Sequence, residues 1–273
     1  KHNPNLDIYH VESLITSRTK AIVPVHYAGV ACPLDELLSM GKKHNIRIIE
    51  DAAQGIGAFY KKKPLGTIGD IGCLSFHDTK NISCGEGGAI FINDLSLKMK
   101  AEIVREKGTN RAAYFRGEID KYGWKSLGSS YLLSDILAAK LLSQLEELES
   151  ITQCRKQIWN IYYEEFSLLE KQGKCYLPDL PNYADHNGHM FYLVCNNIDE
   201  RQSLISHLKK NNIQSTFHYL SLHKSDYFSP KYHGDELPNS DRFTDCLLRL
   251  PLHLHLNTDN QKKVINKIKS YFK

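Results

Sequence analysis

Hydrophobic residues occur in the first part of the chain as short runs separated by charged and helical stretches. Residues 21–25 and 46–49 are apolar runs rich in β-branched residues, which predict buried strands. Between them, Pro33 is followed by leucines at helical spacing, which predicts a helix. A strand, a helix and a second strand in this order predict a right-handed crossover and a parallel sheet. Runs at 71–76 and 89–92 predict two further strands.

The pattern changes after the fourth run. Residues 108–130 are rich in Gly, Arg, Tyr and Trp without a sustained period, which predicts a long loop. Leucines between 137 and 148 then recur at helical spacing. After residue 151 the predicted elements are strands at 190–195 and 213–218 and helices at 201–210 and 261–272. We therefore predict an α/β protein, with a large domain over residues 1–150 and a smaller α+β domain over residues 151–273.

Composition narrows the class of protein. The chain has 273 residues, of which 41% are hydrophobic and 24% charged, which is typical of a globular protein with a sizeable core. The net charge of +4 agrees with an anionic, phosphate-bearing ligand but carries little weight, and no nucleic-acid partner is predicted. The chain contains no apolar run of membrane-span length and no signal-peptide pattern, so no membrane partner is predicted. Seven cysteines without a C-x-x-C pair favour free thiols in a reducing cytoplasm, and the thirteen histidines lack metal-site spacing.

The first candidate for chemistry is Asp51, in the sequence E-D-A-A-Q directly after the strand predicted at 46–49. Ligands of open parallel sheets bind beyond the carboxyl ends of the strands, so Asp51 indicates a pocket. A helix N-cap or a salt-bridged surface acid is the simpler alternative. An acid that binds a nucleotide ribose would need a G-x-G-x-x-G turn, which this chain lacks, so an NAD-dependent enzyme is not favoured.

The second candidate is Lys80, in S-F-H-D-T-K-N, a few residues before the turn G-E-G-G. Glycines allow sharp turns and close backbone approach, which suits a lysine directed into a cleft. An ordinary solvated loop lysine is the alternative. Together, Lys80 and Asp51, 29 residues apart, supply what pyridoxal phosphate requires. The cofactor needs an amine for a Schiff base and a carboxylate beside the pyridine nitrogen.

These motifs carry a specific resemblance. S-F-H-x-x-K-N with G-E-G-G, and E-D-A-A-Q upstream, resembles the DegT/DnrJ/EryC/StrS sugar aminotransferases, which are fold type I pyridoxal-phosphate enzymes. Further similar stretches cover nearly the whole chain: Ile22–Ala31, Lys42–Asn45, Arg105–Arg111, Gly128–Tyr131, Met190–Tyr192, Phe217–Tyr219 and Leu248–Leu252. The resemblance implies a three-layer, mostly parallel sheet, truncated at the N-terminus and followed by a small C-terminal domain.

The resemblance also implies roles for individual residues. Lys80 would bind the cofactor as a Schiff base and transfer the proton, and Asp51 would pair with the pyridine nitrogen. Gln54 would lie against the ring or its 3-hydroxyl side, and Ser75 would bind the phosphate. Relatives are dimers whose active sites are shared between subunits, so a homodimer is implied. In many relatives an asparagine of a G-x-N-x-R stretch reaches the phosphate of the neighbouring subunit; here Ser130 stands at the asparagine position and Leu132 at the arginine position.

The implied reaction transfers the amino group of L-glutamate to the 4-keto carbon of a nucleotide-linked sugar. Within the family, the sequence resembles the members that form dTDP-4-amino-4,6-dideoxy-D-galactose from dTDP-4-keto-6-deoxy-D-glucose for surface polysaccharide of the enterobacterial common antigen type. Candidate sugar-nucleotide ligands are Trp124, Lys125, His218, Tyr219 and His223. Each of these has an equally simple structural interpretation.

Three alternatives stay open at this point. The chain could act on another nucleotide sugar, or could be an inactive fragment or regulatory relative. A sugar 3-dehydratase is disfavoured, because in those relatives histidine replaces the Schiff-base lysine. Since Lys1 is not an initiator methionine, we expect the chain to be part of a longer protein and to bind pyridoxal phosphate weakly or not at all by itself.

Overall fold

The computed structural model describes residues 3–273. Its helices are α1 (Ile8–Ser13), α2 (Leu34–His44), α3 (Lys98–Arg105), α4 (Arg111–Phe115), α5 (Asp135–Glu146), α6 (Leu148–Lys171), α7 (Ile198–Lys210), α8 (Pro238–Cys246) and α9 (Thr258–Tyr271). Its strands are β1 (Ala21–Ile22), β2 (Arg47–Asp51), β3 (Phe59–Tyr60), β4 (Lys63–Pro64), β5 (Ile71–Ser75), β6 (Gly88–Ile92), β7 (Ala184–Asp185), β8 (Phe191–Val194), β9 (Thr216–Phe217) and β10 (Leu247–Leu250). None of the helices within this range is long and apolar enough to cross a membrane.

The main sheet has the strand order β1-β2-β5-β6. β1, β2 and β5 are parallel, and β6 runs antiparallel to β5. The prediction of a mostly parallel α/β sheet is confirmed. The run predicted at 21–25 forms only two residues of regular strand, and Val25 then pairs with Asp51 through an isolated bridge. β1, β2 and β5 therefore end at the same edge.

The two faces of β2 have different surroundings. Ile48 lies in a hydrophobic core with Leu34 and Leu37 of α2, and the side chain of Glu50 is fully buried. Side chains alternate across a strand, so Asp51 lies on the opposite face, where it is only partly buried. One strand thus carries a buried acid and an accessible acid at consecutive positions.

A second sheet, of order β8-β10-β9, is antiparallel and packs on α6, α7 and α9. The core between them contains mainly aromatic and aliphatic side chains, including Tyr162, Phe166, Phe191, Leu204, Leu248 and Ile268. The 24-residue helix α6 continues across the predicted domain boundary at residues 150 and 151. That boundary remains a prediction.

Several contacts join the two units. β3 pairs with β4 and with β7, so residues from both halves of the chain share one small sheet. Tyr27 and Ala28, which follow β1, pack in a cluster with Tyr192 and Leu247 of the second sheet. The segment predicted as a loop at 108–130 contains helix α4, and bridges at Thr109 and Glu106 fold it back on itself.

Candidate active site

The carboxyl ends of β2 and β5 lie next to each other. Asp51 ends β2 and is aligned with Cys73 on β5, two residues before that strand ends at Ser75. Lys80 follows on a tight turn, in which its backbone amide donates to the carbonyl oxygen of His77 at 3.0 Å. The fold therefore brings Asp51, Ser75 and Lys80 to one edge of the sheet.

The carboxylate of Asp51 is accessible and has few partners. Its Oδ1 accepts a hydrogen bond from the amide of Ala53 at 3.1 Å. Among residues 3–273 it forms no ion pair with a lysine, arginine or histidine. Burial, together with the nearby charge of Asp51, raises the pKa of the Cys73 thiol. Asp51 is therefore free to bind a cationic N–H group from outside the described chain.

Lys80 is partly buried, and its Nζ has no acidic partner in the described part of the chain. The positive charge of Lys80 nevertheless acts on His189, a residue from the second half of the chain. Burial first, and then the charges of Arg155, Lys80 and Arg249, lower the pKa of His189 to about 3. Lys80 therefore lies near a histidine ring that stays uncharged at neutral pH.

Asn81, the residue after Lys80, connects the lysine turn to the second unit through its side-chain amide. Nδ2 of Asn81 donates to the carbonyl oxygen of Asn187 at 3.1 Å, and its Oδ1 lies 3.0 Å from Nδ1 of His189. Because Asn81 Oδ1 can only accept, Nδ1 of the uncharged His189 carries the hydrogen. The sequence motif contained Asn81, but nothing in the sequence indicated its partners, which lie more than 100 residues away.

Gln54 supports an unusual backbone turn. Its Oε1 accepts a hydrogen bond from the amide of Ala28 at 2.6 Å, and Ala28 has a φ of 58°. A left-handed conformation is unfavourable for alanine, so this bond helps to hold it. The fully buried Asn187 donates to the backbone carbonyl of Gln54 at 2.8 Å. The structure thus gives Gln54 a fixed position, with only its Nε2 group left for a ligand.

Behind the site, Glu50 forms a saturated buried network. Its carboxylate accepts from the amides of Gly66, Ile68 and Gly69, and it lies 3.0 Å from Nε2 of His26. Burial alone would raise the pKa of Glu50, but these hydrogen bonds outweigh burial and lower it. This pair is a structural feature that the sequence analysis did not predict.

The residues predicted on the long segment lie apart from the strand ends. Ser130 pairs with Glu106, Trp124 pairs with Thr109, and the amide of Lys125 donates to the carbonyl of Gly108 at 2.7 Å. Trp124 is 84% exposed. No described hydrogen bond or ion pair connects Ser130, Trp124 or Lys125 with Asp51, Ser75 or Lys80.

Of the three sugar-nucleotide candidates near β9, two lie beside the candidate site and one lies elsewhere. His218 Nδ1 lies 3.1 Å from the hydroxyl of Tyr27, whose chain neighbours pair with β2, so His218 reaches the site edge. Tyr219 is largely exposed beside a cavity of about 570 Å³ that Tyr27 and His218 also line. His223 lies 3.3 Å from Asp241 instead. Only His218 and Tyr219 therefore belong to a cleft next to the candidate site.

Comparison with known proteins decides the family. The family model of the DegT/DnrJ/EryC1/StrS aminotransferases matches residues 1–269. The chain belongs to this family. MJ1066, an uncharacterized protein of Methanocaldococcus jannaschii, is 34% identical over 278 residues, covering 98% of this chain and 71% of its own.

Solved structures agree with the assignment. S. venezuelae DesV is 28% identical, with a TM-score of 0.89 over 100% of this chain and 70% of its own. The aminotransferase Spr1654 of Streptococcus pneumoniae, solved in its PLP-form, is 25% identical, with a TM-score of 0.87 over 98% and 72%. The family comprises pyridoxal-phosphate-dependent sugar aminotransferases, and the chain is an enzyme of this kind.

The residues at the sheet edge fit pyridoxal phosphate. An amine on Lys80, a carboxylate on Asp51 and a hydroxyl on Ser75 stand at the ends of two adjacent strands. Neither charged group is engaged in an ion pair within residues 3–273. These are the groups that the Schiff base, the ring nitrogen and the phosphate of the cofactor require.

Proposed function

We propose that the enzyme transfers the amino group of L-glutamate to the 4-keto carbon of dTDP-4-keto-6-deoxy-D-glucose. The product would be dTDP-4-amino-4,6-dideoxy-D-galactose, used in surface polysaccharide synthesis. The shared sheet edge of Asp51 and Lys80, with both charges unpaired, is the observation that supports amino transfer. The choice of sugar rests on the resemblance of the stretches that include Ile22–Ala31 and Leu248–Leu252.

Two residues carry the chemistry in this proposal. Pyridoxal phosphate supplies an electron-accepting ring that stabilises negative charge at the carbon bearing the amino group. Lys80 holds the cofactor and afterwards takes and returns the proton at that carbon with its Nζ. The Asp51 carboxylate keeps a proton on the pyridine nitrogen. Both roles need side chains free of other partners, as the contacts of Asp51 and Lys80 support.

Binding roles follow for the neighbouring residues. We assign the cofactor phosphate to the Ser75 hydroxyl, whose described contact is a 3.4 Å bond from the amide of His77. Gln54 would contact the ring through its Nε2. His218 and Tyr219 would contact the sugar nucleotide from the cavity of about 570 Å³. For Trp124, Lys125, His223 and the cross-subunit Ser130, the resemblance is the only support.

A homodimer with shared active sites is part of the proposal. The long segment and its surroundings expose many apolar side chains, as expected of an interface. They are Leu95, Met99, Phe115, Trp124, Leu127, Tyr131, Ile136 and Leu142. Seven free cysteines support a reducing, cytoplasmic location. We also propose the division into domains at residues 150 and 151.

The proposal is tested by incubating the full-length gene product with pyridoxal phosphate, L-glutamate and dTDP-4-keto-6-deoxy-D-glucose. Mass spectrometry should detect the amino sugar, and NMR should show the galacto configuration at C4. Lys80→Ala should lower turnover by about 10⁴-fold or more. The exposed Lys262→Ala is the matched control and should keep full activity. Turnover by Lys80→Ala at the wild-type rate would disprove the assignment.

The same assay separates the alternatives. A panel of other nucleotide-linked keto sugars identifies a different family substrate if one of them has the higher kcat/KM. No turnover with any sugar, despite bound cofactor, would favour a regulatory relative. Sedimentation of wild-type protein and Trp124→Glu tests the dimer, since a charge at an 84% exposed tryptophan should weaken association without unfolding the chain.

A further inference from the structure

A second unpaired cation lies on the sheet of the C-terminal unit. Arg249, on β10, is aligned with Tyr192 of β8 and Thr216 of β9. Its neighbours Leu248 and Leu250 point into the core formed with α6, α7 and α9. Since side chains alternate along a strand, Arg249 lies on the other face of this sheet.

Arg249 uses little of its hydrogen-bonding capacity. Its Nη2 donates to the carbonyl oxygen of Phe217 at 2.9 Å. Its Nε is buried without a partner, as is the hydroxyl of Ser215 nearby. No carboxylate within residues 3–273 forms an ion pair with Arg249. Buried donors without acceptors are uncommon in folded proteins, so these two groups are available to donate to a ligand that carries acceptor atoms.

The two groups line one small pocket next to the lysine turn. The pocket has a volume of about 260 Å³ and is open to solvent, and its lining includes His189, Ser215, Thr216 and Arg249. The His189 ring is bonded to Asn81, the residue after Lys80. The charges of Lys80 and Arg249 both act on His189. His189 therefore connects the lining of this pocket with the turn that carries Lys80.

We propose that Arg249 and Ser215 form the subsite that binds a carboxylate of the amino donor. The inference rests on the proposed function, because it takes an amino acid as the donor that reacts at Lys80. A guanidinium binds a carboxylate through two parallel hydrogen bonds, and a serine hydroxyl adds a third donor. A pocket of about 260 Å³ suits a small amino acid. A nucleotide sugar fits better in the cavity of about 570 Å³ beside Tyr27 and His218.

The two half-reactions test the assignment separately. Stopped-flow absorbance of the cofactor-loaded enzyme follows the reaction with L-glutamate, and the aminated enzyme is then mixed with the keto sugar. Arg249→Gln should raise the apparent Kd for L-glutamate about 100-fold. It should leave the sugar half-reaction within about threefold of wild type, because the nucleotide sugar binds elsewhere. Arg249→Lys keeps the positive charge but lacks the two parallel N–H donors of the guanidinium, so an increase of about tenfold in the apparent Kd for L-glutamate is expected.

A binding measurement without turnover gives a second readout. Glutarate has both carboxylates of the donor but no amino group, so it binds without reacting. Isothermal titration should show glutarate binding to the wild-type protein, with affinity about tenfold lower for Ser215→Ala and lost in Arg249→Gln. Arg18→Gln is the control, since it removes an exposed charge from the opposite edge of the main sheet, before β1.

Each other outcome has a defined meaning. If Arg249→Gln slows only the sugar half-reaction, the anion is the diphosphate and the inference is wrong. If Arg249→Gln slows both half-reactions and lowers the melting temperature, Arg249 only stabilises β9 through its bond to Phe217, and the inference is wrong. If wild-type protein shows no glutamate half-reaction, the proposed function fails. Glutarate binding that depends on Arg249 would still support a carboxylate subsite in that case.

Discussion

Glu50 and Asp51 are consecutive acids on one strand, yet they belong to two different regions. Glu50 is fully buried and its carboxylate is bonded to His26 and to three backbone amides. Asp51 is partly exposed and accepts one amide hydrogen bond. The alternation of the strand alone places one acid in the buried region and the other in the cleft.

The difference shows how this site combines stability with reactivity. The buried region, formed by Glu50, His26 and Asn187, has its polar groups paired within the chain, so it stabilises the strand ends. The cleft, which contains Asp51 and Lys80, keeps its charges unpaired for a ligand. We expect substitutions in the buried region to lower the free energy of unfolding, and substitutions in the cleft to lower activity.

The largest effect on stability should come from Glu50→Ala. Removing one partner of a buried charged network leaves His26 and three amides without an acceptor, which should lower the free energy of unfolding by about 3–5 kcal/mol. Urea denaturation followed by circular dichroism measures this. Asp51→Ala is the matched control and should change stability by about 0.5 kcal/mol or less. Equal losses in the two variants would contradict the separation of regions.

Asp51→Asn should lower activity without lowering stability. Loss of the charge that keeps the ring nitrogen protonated should lower kcat/KM by about 10²–10³-fold, while the urea midpoint stays unchanged. The exposed Asp120→Asn is the control for a general loss of charge. Wild-type kcat/KM in Asp51→Asn would show that another group performs this role.

Two histidines with lowered pKa values, His186 and His189, also predict that the stability of the fold depends on pH. Burial lowers the pKa of His186 to about 4 and that of His189 to about 3. Below the unfolded pKa of about 6.5, the unfolded chain binds protons that the folded chain does not. The free energy of unfolding should therefore decrease as the pH is lowered from 6.5 toward 4, by about 1.4 kcal/mol per pH unit for each histidine. In His189→Asn this slope, measured by urea denaturation at several pH values, should fall by about half.

The smallest effect concerns Ala28, where the two regions meet. Its left-handed backbone costs about 1–2 kcal/mol for alanine, and glycine removes that cost at an entropic penalty of about 0.5–1 kcal/mol. Since Ala28 and Ala31 are both buried and both lose a methyl group on substitution, Ala28→Gly should be less destabilising than Ala31→Gly by about 1–2 kcal/mol, the strain that glycine removes. The control is Ala31→Gly, which is buried at a negative φ and should be destabilising. An equal decrease of the melting temperature in the two variants would show that the turn is unstrained.

The sequence by itself determined the local elements and indicated the two residues that we propose to react. Apolar runs predicted the positions of β2, β5 and β6, because burial of a strand leaves a visible pattern. The E-D-A-A-Q and S-F-H-D-T-K-N motifs directed attention to Asp51 and Lys80, since both follow predicted strands. The family follows from the same motifs and is confirmed by comparison.

The elements that were missed have weaker local patterns. Helix α6 is the exception, because its buried residues Ile151, Ile158, Tyr162, Phe166 and Leu169 recur at helical spacing on one face, and this stripe was present in the sequence but was not identified. Strand β10 follows α8 directly, and its four residues were too few to distinguish from a loop. Helix α4 is five residues long and lies within a segment that has no period.

Only the tertiary structure decided which polar groups are paired and which are free. The bonds from Asn81 to Asn187 and His189 and the pair of His26 with Glu50 join residues that are 24 to 108 positions apart in sequence. The partly unpaired state of Arg249 is likewise invisible in the sequence. A sequence pattern records the burial of side chains along one element, whereas a hydrogen bond between distant elements depends on how the whole chain packs.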